Sequence, residues 1–109
     1  MATLLKNTVI KNCGKEPVLI YETLPTTRVT VLGLSFTNLT ETFVYVDVLV
    51  EDDTSVSGYY LKQSLLPANT SLRAVSTGEK LVLAPSNRLL VRSSLNDSVD
   101  VIVSYVEIT

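Results

Sequence analysis

The stretch spanning residues 28–51 constrains this chain more than any other, because its side chains repeat every two residues. In residues 28–38, Leu32, Leu34 and Phe36 alternate with Gly33, Ser35 and Thr37. In residues 43–51, Val44, Val46, Val48 and Val50 fall on one side, and Tyr45, Asp47, Leu49 and Glu51 on the other. A helix would bring every third or fourth residue to one face, whereas a strand brings every second. Two strands with one apolar face each are therefore predicted. The connection Asn38-Leu39-Thr40-Glu41-Thr42 is short and polar, which predicts that the two strands pair antiparallel as a hairpin. A second sheet is then needed over the valine face.

The remaining chain repeats the theme. Residues 3–12, 18–22, 57–66, 71–75, 80–83, 88–93 and 99–108 read as further strands, separated by breaks that hold Gly14, Pro17, Pro25, Pro67, Gly78 and Pro85. Gly33, inside a strand, predicts a bulge or a close backbone approach. No window carries a helical stripe. Strands at this spacing predict an all-β fold, an antiparallel β-sandwich with jelly-roll connections as one variant, in a single domain over residues 1–109. With 46% hydrophobic and 18% charged residues the chain can fill such a core, and disorder is not expected.

Reactive machinery is scarce. The chain has no histidine and no tryptophan, and its one cysteine, Cys13, reads as a spare residue in a turn that cannot form an internal disulfide. Ser-His-Asp and Cys-His chemistry and Cys/His zinc sites are excluded. The glycines form no phosphate-cradling loop ahead of a helix. The expectation is a protein that is not an enzyme and that has no cofactor and no metal. Glu51-Asp52-Asp53, and Asp97 with Asp100, lack calcium-loop spacing and read as solvated turns. Sequons at Asn38, Asn69 and Asn96 read as turn markers.

The net charge of −2, with nine scattered Lys and Arg, argues against a nucleic-acid partner. No apolar run reaches bilayer-spanning length, and residues 1–6 are too short and mixed for a signal peptide, so no membrane partner is expected. Surface candidates come from apolar residues without a clear inner side. In residues 3–12, Leu4, Leu5, Val9 and Ile10 show little alternation. In the last strand Val99, Val101, Val103 and Tyr105 share one face and Ile102, Val106 and Ile108 the other. Either these are interior strands, or they are assembly contacts whose apolar area is costly to leave in water. Tyr59 and Tyr60 point to opposite faces, so one of them is expected outward.

Five runs in the C-terminal half, namely Tyr59-Tyr60-Leu61, Leu66-Pro67-Ala68-Asn69-Thr70-Ser71-Leu72, Lys80-Leu81-Val82-Leu83, Arg88-Leu89-Leu90-Val91 and the segment 101–108, together with Val31-Leu32-Gly33-Leu34-Ser35-Phe36-Thr37-Asn38 upstream, carry a resemblance. They resemble small β-sandwich virion structural proteins of tailed bacteriophages. Where such proteins carry Pro-x-Gly and Gly-Asp turns, Asn69 and Pro85-Ser86-Asn87 stand here. The resemblance implies a non-enzymatic bacteriophage virion protein, foremost a capsid decoration (cement) protein that stabilises the assembled shell, with a neck or tail component as the alternative. It implies the major capsid protein or other virion subunits as partners, a homo-oligomer, and a virion location reached by assembly in the host cytoplasm. A carbohydrate-binding or host-adhesion module using Tyr59 or Tyr60 is the alternative from another class.

Overall fold

The computed structural model describes residues 3–75 and 81–109, and these form nine strands divided between two antiparallel sheets. In chain order they are β1 (Thr3–Cys13), β2 (Val18–Glu22), β3 (Arg28–Asn38), β4 (Val44–Glu51), β5 (Ser57–Leu66), β6 (Ser71–Val75), β7 (Leu81–Leu83), β8 (Arg88–Ser93) and β9 (Val99–Ile108). One sheet runs β1-β9-β3-β6, with β7 also on β3; the other runs β2-β8-β4-β5. The partnerships nest: β1 with β9, β2 with β8, β3 with β6 and β7, β4 with β5. The fold is an antiparallel β-sandwich with a jelly-roll-like winding. The expected turn at 76–78, and Lys80, lie outside the described residues.

Alternation explains the core. Val44, Val46 and Val48 of β4 and Leu89 and Val91 of β8 form the inner face of one sheet. Val29, Val31, Leu34 and Phe36 of β3, with Val99, Val101, Val103 and Tyr105 of β9, form that of the other. All belong to one buried cluster.

Three expectations need correction. Strands β3 and β4 do not pair as a hairpin; they lie in opposite sheets, so the valine face of β4 is part of the same core as β3. The connection between them is an arch held by Asn38, which is buried at the end of β3. Its Nδ2 donates to the carbonyls of Thr42, Leu66 and Pro67 at 2.9, 3.1 and 3.1 Å, and its Oδ1 accepts from the Thr40 amide and hydroxyl. A side chain that satisfies that many polar groups is a structural node as well as the start of a turn. Asn69 also sits in a turn, at φ 51°.

Leu32 does not share a face with Leu34. The register of β3 against β9 slips between Val31 and Gly33, which moves Val31 and Leu34 inward and leaves Leu32 half-exposed. Gly33 lies at this irregularity, as its sequence position suggests. Finally, Cys13 is no turn residue: it ends β1 and is 2% exposed, with burial pushing its thiol pKa up.

Candidate functional site

The outer face of the five-stranded sheet is apolar across several strands. Antiparallel register places Leu5 opposite Val106, Val106 opposite Thr30, and Thr30 opposite Val82, forming one continuous rung over β1, β9, β3 and β7. Val9 lies opposite Ile102 in a second rung. Leu5, Val9, Val82 and Ile102 are 77, 60, 63 and 45% exposed. The uncharged polar pair Asn7–Ser104 stands between the two rungs, and Arg28, Arg73 and Asp100 stand at register positions around them.

Strand β1 is also an edge. Among the described residues it pairs with β9 alone, so its far side carries backbone donors and acceptors without a neighbouring strand. Its first half is fastened by side chains. Glu107 of β9 takes an ion pair from Lys6 of β1 at 2.9 Å and a hydrogen bond from the Tyr21 hydroxyl of β2. That hydroxyl and the Lys6 ammonium hold the Glu107 carboxyl below its ordinary pKa. Tyr21 is raised in turn, by desolvation first and by the carboxylate second. Tyr21 also packs on Tyr105, ring centroids 4.5 Å apart, so these four residues join the two sheets beside the open edge.

Of the residues expected from sequence, Leu4, Leu5, Val9 and Ile102 are exposed, and Val106 and Ile108 are half-buried on the same outer face as Leu5 and Val9. Ile10 turns inward and packs on the core. Tyr59 is exposed and Tyr60 packs inward, so the pair divides as strand geometry demands. Tyr59 lies on the other sheet, away from the apolar rungs. Val82 was missed by the sequence reading. The signal was its position between Leu81 and Leu83 in a three-residue strand, too short to establish a period.

The outer face of the four-stranded sheet differs in kind. Asp47 lies opposite Arg92, Leu49 opposite Leu90 and Glu51 opposite Arg88, and both acid-base pairs close, at 2.8 and 3.3 Å. The acidic turn after β4 is structural: Asp52 accepts from the Thr54 amide and hydroxyl and from the Val56 amide, which hold its carboxyl below the usual range. Among the described residues no group of three or more His, Cys, Asp or Glu gathers to hold a metal.

Two antiparallel sheets around one core, one with apolar rungs on its outer face and one with ion pairs there, make the molecule a β-sandwich protein. Similar solved structures belong to assembled particles and fibres. A protein of the disulfide-linked pili of Bacillus endospore appendages has a TM-score of 0.58 at 7% identity, over 98% of this chain and 88% of that one. A chain of the infectious bursal disease virus particle gives 0.55 at 9% identity, over 96% of this chain and 30% of that one. The VP2 subviral particle of the same virus gives 0.50 at 8% identity, over 96% and 37%. This chain thus spans about a third of the viral chains it matches. At such identities the likeness is one of fold. No protein-family model matches the chain, and no curated protein does.

Proposed function

We propose that this chain is a non-enzymatic structural protein of a virus particle, of the tailed-phage kind, that decorates and cements the assembled shell. Its partners are the major capsid subunits, its location the virion after assembly in the host cytoplasm. The observation that carries the reading is the apolar face formed by Leu5, Val9, Val82 and Ile102, continuous with the open edge of β1. An exposed apolar patch rimmed by polar residues marks a protein contact. That similar folds build virus particles and pili supports the reading. A pilus linked by disulfides fits less well, because the single cysteine here is buried.

Energetics define what such a contact requires. Burying what these four side chains still expose, about two and a half side chains' worth at about 1.5–3 kcal/mol each, contributes roughly 4–7 kcal/mol. Association costs about 4–15 kcal/mol in lost freedom. The apolar rungs alone therefore offset only the lower part of that range. Backbone pairing along β1, or attachment of an oligomer at several points, supplies the remainder. A subunit that binds only the closed shell then stabilises it by mass action.

The test is a Leu5→Glu, Val9→Glu double variant mixed with undecorated particles and sedimented. The wild-type chain is expected to pellet with the particles, and the variant to remain in the supernatant while melting as wild type does. A variant that pellets as well as wild type removes the proposed contact.

A further inference from the structure

On the four-stranded sheet, a pocket of about 250 Å³ opens between Lys15, Tyr45, Asp47, Gln63, Arg92 and Ser94. Its floor is built, not incidental. The register of β4 against β5 jumps from Val46–Ser64 to Val48–Leu61, so Lys62 and Gln63 both stand opposite Asp47. Gln63 occupies φ 50°, a left-handed conformation uncommon for a residue with its side chain. The Asp47 carboxylate holds that bulge, accepting from the Gln63 amide at 2.6 Å through Oδ1 and from Arg92 Nε at 2.8 Å through Oδ2. Bulges of this kind re-aim side chains beside binding sites.

The lining side chains are braced by neighbours outside the pocket. Arg92 Nη2 donates to the Tyr59 hydroxyl at 3.2 Å, and Lys62 lies over that ring at 5.3 Å. The Tyr45 ring meets Phe43 edge-on, centroids 5.6 Å apart, and its backbone exchanges hydrogen bonds with Ser94 at 2.9 Å each way. Lys15 is carried on a loop pinned by its own amide to Asn96 Oδ1 at 3.0 Å and by the Gly14 carbonyl, which accepts from the Ser93 amide at 2.8 Å. Gly14 allows this close approach, since a Cβ would stand 2.7 Å from Asn96 Oδ1 and push Asn96 off the Lys15 amide.

The geometry points to a binding site for an acidic sugar. Each Asp47 oxygen keeps a lone pair for a hydroxyl, and the Ser94 hydroxyl, which accepts from the Tyr45 amide, has its own proton to give. The exposed Tyr45 ring offers an apolar wall for a pyranose face. Lys15 and Arg92 bring two positive charges against the one carboxylate of Asp47, an excess that suits a carboxylated ring over a neutral one. The volume, just below the usual range of ligand pockets, limits the occupant to a single ring. The site lies on the sheet opposite the proposed assembly face and does not rest on that reading.

The experiment uses the full chain in NMR titrations with soluble oligosaccharides carrying glucuronate, galacturonate, mannuronate or sialate, each beside its methyl ester. Saturable binding of at least one acid is expected, at least tenfold weaker for its ester. Lys15→Ala and Tyr45→Ala, both on the surface, are each expected to weaken it at least tenfold without changing the melting temperature. The proposal is overturned if no acid binds saturably, if acid and ester bind alike, or if both variants bind as wild type does.

Discussion

The two outer faces of this sandwich arise from the same alternation and differ in where their charges stand. On the four-stranded sheet, the rung Leu19–Leu90–Leu49–Tyr59 is bracketed by Asp47–Arg92 and Glu51–Arg88, each acid directly opposite its base. On the five-stranded sheet, Leu5, Val106, Thr30 and Val82 follow one another across four strands with no charge between them. Period two dictates that a face exists; it does not dictate what covers it. A face laced with cross-strand ion pairs is adapted to water, whereas the apolar one gains by exclusion from it.

The largest expected effect breaks both faces at their common root. Asn38 carries the chain from one sheet to the other and satisfies three carbonyls in the arch. Asn38→Ala leaves buried polar groups unpaired, at a cost of about 3 kcal/mol. Thermal unfolding should shift down by about 10–20 °C. A shift within two or three degrees would mean that the arch holds without it.

A smaller loss is expected on the polar face alone. Asp47→Ala removes the acceptor of the Gln63 amide and of Arg92 and should cost about 1–2 kcal/mol in urea unfolding. Arg92→Ala in the Asp47→Ala background should add little, because the two act as one unit. Full additivity of the two substitutions would contradict the pairing.

Acid should loosen the open edge of the apolar face. Glu107 is held below its ordinary pKa by Tyr21 and Lys6, so the stability it contributes is fully present above the unfolded carboxyl value and is lost as pH falls through its lower folded value. Melting temperature followed from pH 7 downward should decline less in Glu107→Gln than in wild type over that interval. Identical profiles would remove Glu107 as the fastening.

How much of this was legible in the sequence follows from the range of each interaction. The strands were readable because alternation is local: Val44, Val46 and Val48 declare their face without reference to any partner. Partner choice was not. The residues linking β3 to β4 look like a hairpin loop, and only the buried contacts of Asn38, which reach Leu66 and Pro67, show the chain crossing between sheets. Leu32 was misplaced because a bulge changes phase without changing composition. The outer-face residues of β1 and β9 were legible as apolar residues without an inner side. The pocket was not, since Lys15, Asp47, Gln63 and Arg92 come from four separate segments and are brought together by register alone.

The smallest expected effect on stability accompanies the central claim. Leu5→Glu and Val9→Glu, at exposed positions of an edge strand, should change unfolding free energy by no more than about 0.5 kcal/mol. What they should change is attachment. The most direct measurement is hydroxyl-radical footprinting of side chains in the free chain and in the particle-bound chain. Leu5, Val9, Val82 and Ile102 are expected to lose labelling on attachment while Tyr45, Tyr59 and Leu65 keep it. Protection of the second group with continued labelling of the first would place the contact on the wrong sheet and contradict the proposal.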